Sequence, residues 1–275
     1  MKLIKNIALK ILINFLRVQI NLLKHNGVSI EDYPDKKWKL VPFPSQKGDI
    51  YNADNLATVN RHDFTNCMLF VNARKSAEKR WGTPGNVRDI SWRLHVLLWA
   101  FGNANKEVGQ GEIAIELGTG KGYMAAGICE YFNSNIDKKM MPLYLFDVFS
   151  KNLELANGES IKSPAQFAYT DQYSEVVEYF KDYEFVKVVR GLIPDVLTTV
   201  DKRKIGFLHL DLNNAESEKL ALEYLAAKFI KGAIILLDDY GGPFGEAQAI
   251  AHKNFATVHG RSILELPTGQ GLIIW

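Results

Sequence analysis

The run Ile113-Ala114-Ile115-Glu116-Leu117-Gly118-Thr119-Gly120-Lys121-Gly122 decides how this chain is read. An apolar stretch breaks into three alternating glycines, and a helical pattern resumes after them. Glycine is needed in such a strand-to-helix turn because the backbone passes through conformations that a Cβ forbids and a ligand approaches the main chain closely. A nucleotide-like cofactor is expected there. Dinucleotide sites use G-x-G-x-x-G, whose third glycine packs helix on strand. Here the glycines fall at every second residue, and an acid, Glu116, precedes them.

Outward from this turn, short apolar runs alternate with amphipathic stretches, the pattern of a parallel sheet covered by helices. Strands are expected near 113–117, 142–147, 184–189, 205–211 and 233–238, with helices at about 121–133, 172–181 and 214–229. Asn214 is placed to cap the last of these and Gly232 to close it. A helix near 244–258 leads to two runs, Ile263-Leu264-Glu265-Leu266 and Gly271-Leu272-Ile273-Ile274-Trp275, which read as a closing antiparallel pair. The whole is an α/β, Rossmann-like fold: a doubly wound, mostly parallel seven-stranded sheet with an N-terminal helical extension.

Upstream, helices are expected at 62–80 and 88–102, separated by the turn signal Gly82-Thr83-Pro84-Gly85. The second carries Ser91-Trp92-Arg93-Leu94-His95 through Trp99-Ala100 and is expected to pack on the first strand of the core. Pro34, Pro42 and Pro44 make 26–60 an irregular connection. Residues 2–24 place lysines, asparagines and Arg17 at helical intervals among apolar residues, an amphipathic helix. Its charges interrupt every apolar run well before the roughly 18 residues of a membrane span. Packing on the domain or on a second copy of the chain is expected for this helix, with peripheral contact to an anionic membrane as the alternative. The chain is thus divided into 1–105, an amphipathic helix, connection and helical cap, and 106–275, the cofactor-binding core.

With 275 residues, 33 basic against 31 acidic, the chain can bury a large core and carries no overall charge that would hold nucleic acid. Cys67 and Cys129 are the only cysteines. Two distant thiols fit a reducing, cytoplasmic compartment and buried side chains better than a disulfide scaffold or a zinc site.

In open α/β sheets, ligands bind beyond the carboxyl ends of the strands. Those ends are acidic here: Glu116, Asp147, Asp211 and the pair Asp238-Asp239. Asp147 stands where a second-strand carboxylate accepts hydrogen bonds from ribose hydroxyls. Asp211, Asp238 and Asp239 would meet at one sheet edge, where their repulsion calls for a cation. Oxygen-only ligation favours Mg²⁺, or Mn²⁺ and Ca²⁺, over zinc.

The acid followed by G-x-G-x-G resembles the first motif of class I methyltransferases that use S-adenosylmethionine. Leu208-His209-Leu210-Asp211, together with Gly232-Ala233-Ile234-Ile235-Leu236-Leu237-Asp238-Asp239-Tyr240-Gly241 and the Ser91–His95 stretch, is similar to the macrocin O-methyltransferase (TylF-like) family of sugar-modifying enzymes. The resemblance implies cofactor contacts from Glu116, Gly118, Thr119, Gly120, Gly122, Tyr123 and Asp147. It also implies a catalytic Mg²⁺ on Asp211, Asp238 and Asp239, and a small-molecule sugar acceptor. Members often carry a second acid two residues after the first, but this chain has Asn213, an amide that is no useful base. Deprotonation then rests on metal acidification with a carboxylate ligand, on water, or on a histidine, for which His95, His252 and His259 are conceivable. A nicotinamide-dependent dehydrogenase or epimerase, or a non-catalytic scaffold, are the other readings of such a fold.

Overall fold

The computed structural model describes residues 51–58, 60–81, 89–106, 111–133, 140–149, 152–154, 160–162, 172–243 and 245–275. The helix expected at 2–24, most of the connection to residue 60 and the 82–85 turn lie outside the described residues. The chain divides into two compact units, residues 1–53 with 57–59, and 54–56 with 60–275. The second holds the large sheet, its helices and the acidic strand ends.

Eleven strands are described: β1 (Tyr51–Ala53), β2 (Leu56–Thr58), β3 (Glu112–Leu117), β4 (Leu143–Asp147), β5 (Asn152–Glu154), β6 (Ser160–Lys162), β7 (Val186–Arg190), β8 (Lys204–Leu210), β9 (Phe229–Leu237), β10 (Leu264–Glu265) and β11 (Gly271–Ile274). Seven form one sheet in the order β10-β11-β9-β8-β3-β4-β7; β1–β2 and β5–β6 are separate two-stranded ribbons. Strands β9, β8, β3, β4 and β7 run parallel, while β11 joins β9 antiparallel and β10 joins β11 antiparallel. The chain leaves β3 toward β4 on one side and later returns through β8 on the other, so the switch point lies between β3 and β8.

Six α-helices are described, α1 (Met68–Trp81), α2 (Ser91–Lys106), α3 (Tyr123–Asn133), α4 (Tyr173–Phe180), α5 (Ala215–Leu225) and α6 (Glu246–Val258), and α1 packs chiefly on α3. Successive strand residues point to opposite faces, and the core obeys this period. On one face Ala114, Leu143, Leu145, Phe207 and Leu236 pack with Leu94, Leu97 and Phe101 of α2 and Ile128 of α3. On the other Ile113, Ile115, Leu117, Phe146, Leu208, Leu210 and Ile235 pack with Leu222 and Leu225 of α5 and Phe255 of α6. All five of the parallel strands and the closing antiparallel pair stand where the sequence placed them, within a few residues.

Four expectations need correction. Helix α2 lies over β8 and β9 rather than over the first core strand. Gly232 does not close α5; that helix ends at Leu225, and Gly232 sits inside β9 at φ +83°, donating to the Trp275 carbonyl. The 62–80 helix is split at Cys67 into a short 3-10 turn, Asp63–Asn66, and α1. Cys129 is buried, but Cys67 is exposed, and both are free.

Candidate functional site

Period and register together build the site. Glu116 of β3 is opposite His209 of β8, and His209 is opposite Leu236 of β9. Glu116 and His209 therefore share the α2-covered face with Ala114 and Phe207, and Asp238, two residues past Leu236, follows on the same side. The ladder also runs past the strand ends. Gly118 donates to Phe146, Asp211 to Leu117 and Asp238 to Leu210, each at 2.9 Å through backbone N–H. These bonds fix where the terminal acids sit. One carboxylate oxygen each from Asp211, Asp238 and Asp239 lies within 4.8 Å of the others. The sequence expectation that these three converge is met.

The three acids are held very differently. Both oxygens of Asp238 are taken: Arg93 Nη1 donates to Oδ2 at 2.6 Å and Gln270 Nε2 to Oδ1 at 2.8 Å. His209 Nε2 stands 3.6 Å from Oδ1, near enough for charge attraction and too far for a good hydrogen bond. Its Nδ1 faces Glu116 Oε1 at 3.1 Å. Asp211 accepts from the Asn213 side-chain amide at 2.9 Å, and Asp239 has Arg93 at 3.9 Å.

The electrostatics follow this pattern. Burial works against the Asp238 carboxylate, yet Arg93 and then His209 outweigh it and hold the group well below the usual carboxylate range. Burial and the charges of Asp238 and Asp239 push Asp211 well up, and burial with Asp238 raises Asp239 to about 6. Burial opposes protonated His209, but Asp238 and Glu116 on either side raise it to about 10. Burial first, and then the repulsion between neighbouring carboxylates, disfavours the charged forms of Asp211 and Asp239, while Asp238 is held as the ionised member of the cluster. A hard divalent cation with oxygen ligands fits such a donor set. Hydrogen bonds to the far side of a ligating carboxylate are usual around bound metals.

The glycine loop lies beside these acids. Gly118, Gly120 and Gly122 all have positive φ, +90°, +53° and +84°. A Cβ at Gly118 would overlap the backbone carbonyl of Asp211, and one at Gly122 would come within 2.6 Å of the Phe180 ring. At Gly120 it would meet open space. Asp147, the residue expected to serve a ribose, also holds the loop. Its Oδ2 accepts from the Gly120 N–H and its Oδ1 from the Phe149 N–H, each at 2.7 Å. Burial nevertheless raises its pKa, with the backbone donors opposing. Two buried polar atoms here, Thr119 Oγ1 and Glu116 Oε2, have no hydrogen-bond partner among the described residues. Such atoms are costly unless a ligand satisfies them, so the loop suits a cofactor that offers donors and passes close over Gly120. Tyr123 starts α3 with its ring edge-on to Trp81, 5.2 Å between centroids.

The three candidate base histidines are engaged elsewhere. His95 stacks on Phe64 at 4.0 Å, and burial lowers its pKa. His252 Nε2 pairs with Glu218 Oε2 at 2.8 Å in full burial, and His259 packs against Phe255 and Trp275. Asn213 has φ +54°, a left-handed turn position that asparagine tolerates, which gives it a local structural reason. Sequence reasoning passed over Arg93, His209 and Gln270. The first two lay in quoted stretches; the readable signal was a charged residue at a position whose period faces the core.

Residues 115–240 match the family model described as a methyltransferase domain. No curated protein matches the chain in sequence. Among solved structures, the O-methyltransferase NovP is similar at 14 % identity and a TM-score of 0.56, over 77 % of this chain and 97 % of that one. The calicheamicin methyltransferase CalS11 is similar at 14 % identity and a TM-score of 0.54, over 84 % of this chain and 99 % of that one. An apo structure of CalS11, described as a TDP-rhamnose 3'-O-methyltransferase, gives 15 % and 0.52, over 78 % and 96 %. At these identities the likeness establishes the fold. The chain thus carries a match to a methyltransferase domain over residues 115–240, on the fold of these O-methyltransferases.

Proposed function

We propose that this chain transfers a methyl group from S-adenosylmethionine to a hydroxyl of a sugar-containing small molecule, with Mg²⁺ or Mn²⁺ held by Asp211, Asp238 and Asp239. The observation that carries this reading is the meeting of three carboxylates within 4.8 Å at the ends of β8 and β9, one of them, Asp211, with its backbone carbonyl against Gly118 of the glycine turn. The donor's sulfonium would supply an activated methyl, and a divalent ion held by Asp211, Asp238 and Asp239 would supply Lewis acidity that lowers the pKa of an acceptor oxygen. The protein's own task is alignment of the acceptor oxygen with the methyl. Asp147 fixes the glycine turn, Thr119 and Glu116 each carry a buried polar atom without a partner among the described residues, and Arg93 with Gln270 fixes Asp238. Asn213 donates to Asp211 and takes no proton. The sugar acceptor is supported by the activity named for CalS11, and the two free cysteines support a reducing cytoplasm.

Nucleoside-diphosphate sugars incubated with S-adenosylmethionine are expected to gain one methyl group by mass spectrometry, and only with a divalent ion present. Asp238→Ala is expected to abolish this while calorimetry still detects S-adenosylhomocysteine binding. Full turnover in that variant or after chelation removes the ion from the reaction. Binding of NAD in place of S-adenosylhomocysteine turns the reading to a dehydrogenase.

A further inference from the structure

Arg93 sits on the core-facing side of α2 with its side chain 10 % exposed, and its guanidinium makes three directed contacts. Nε donates to Asp54 Oδ2 at 2.7 Å, and Nη1 donates both to the Asp238 carbonyl at 3.0 Å and to its Oδ2 at 2.6 Å. It therefore grips the backbone and the carboxylate of residue 238 together. Asp54 in turn braces Arg93, its own side chain only 5 % exposed. Gln270 holds the remaining carboxylate oxygen and is itself fixed by Thr268 Oγ1, 2.9 Å from Gln270 Oε1. Rotation of the Asp238 carboxylate is thus restrained at both oxygens. Among the described residues Asp211 and Asp239 have no comparable constraint: one contact to an exposed amide and one ion pair at 3.9 Å.

The geometry points to Arg93 as a positioning residue, braced by Asp54, that makes Asp238 the pre-aimed, rigid ligand of the cation site around which Asp211 and Asp239 adjust. This rests on the metal-dependent reading above. Two effects of the guanidinium compete. Its positive charge repels a cation, so removing it would tighten binding if charge dominated. Its fork fixes a ligand, so removing it would weaken binding if orientation dominated. The backbone carbonyl contact and the Asp54 brace favour orientation, since neither is needed by a simple counter-charge. Lysine keeps the charge but not the planar fork that makes these contacts at once.

The test is Mn²⁺ titration by calorimetry on the full chain carrying Arg93→Lys, Arg93→Met or Asp54→Asn, with S-adenosylhomocysteine titrated separately. Both Arg93 variants are expected to bind Mn²⁺ about 10- to 100-fold more weakly, the range typical of residues that orient metal ligands. Asp54→Asn, which keeps Arg93 and its charge, is expected to lose a smaller part of that, and S-adenosylhomocysteine affinity is expected to stay unchanged. Unchanged or tighter Mn²⁺ binding in Arg93→Met overturns the inference, as does wild-type affinity in Arg93→Lys. If an Arg93 variant also loses S-adenosylhomocysteine binding, its fold is damaged and Asp54→Asn decides: wild-type Mn²⁺ affinity there overturns the inference. A wild-type chain that binds no Mn²⁺ at all sinks the metal reading instead, a separate outcome.

Discussion

Gly118, Gly120 and Gly122 belong to one motif and serve three purposes. Gly118 lets the turn press on the Asp211 carbonyl, Gly122 lets it press on Phe180, and Gly120 alone faces open space. From sequence all three read as a close approach to a ligand, because spacing does not reveal what stands opposite each Cα. Alanine at 118 would pair a positive-φ strain with a backbone overlap, a destabilisation of roughly 2–6 kcal/mol, and would displace Asp211. Alanine at 120 carries only the left-handed cost of roughly 1–2 kcal/mol and intrudes where a cofactor would pass. Thermal melting is expected to single out Gly118→Ala, and S-adenosylhomocysteine titration to show weakened binding in a still-folded Gly120→Ala. Equal melting temperatures for the two variants would refute this division. Asp147 repeats the lesson: its place at the end of β4 was readable, but its two bonds to loop N–H groups were not.

Helix α5 shows how far local signals reach. Asn214 caps it as its sequence position suggests, its side chain accepting from the Ser217 N–H at 2.9 Å. The other end was misplaced, because Gly232 has a positive φ that serves a strand pairing with Trp275 rather than a helix stop. Asn214→Ala is expected to lower stability by about 1 kcal/mol, seen as a lower denaturant midpoint at unchanged slope. The cap stands just after the Asp211 loop, which Glu218 of α5 also holds by accepting from the Leu212 N–H at 3.1 Å. With that second hold intact, Mn²⁺ affinity in Asn214→Ala is expected to stay within about twofold of wild type. A large loss there would show that the cap, not Glu218, sets the loop. Helix α2 contrasts with α5: its aromatic and apolar residues announced a buried helix, but its choice of β8 and β9 over the first core strand depends on strand order.

For the whole molecule, strand order is what gathers the site. Glu116, His209 and Asp238 are separated by 93 residues in one step and by 29 in the next, and become neighbours because β3, β8 and β9 lie side by side. Strand β11 then contributes its approach: Gln270, just before it, reaches Asp238. Ending the chain at Pro267 would remove Gln270 and leave β9 with an unpaired edge, a template for association. Such a truncation is expected to elute as aggregate in size-exclusion chromatography and to lose Mn²⁺ binding; a monodisperse, Mn²⁺-binding product would contradict it. The sequence by itself determined the α/β alternation, the glycine turn and the acids at the strand ends, since each of these is a local pattern of period, turn chemistry and residue type. Only the tertiary structure decided that Arg93 and Gln270 immobilise Asp238, that His209 lies between two carboxylates, and that Gly118 packs on Asp211. Those contacts join residues far apart in the chain, and no local periodicity encodes which buried charges will face one another once the sheet is ordered.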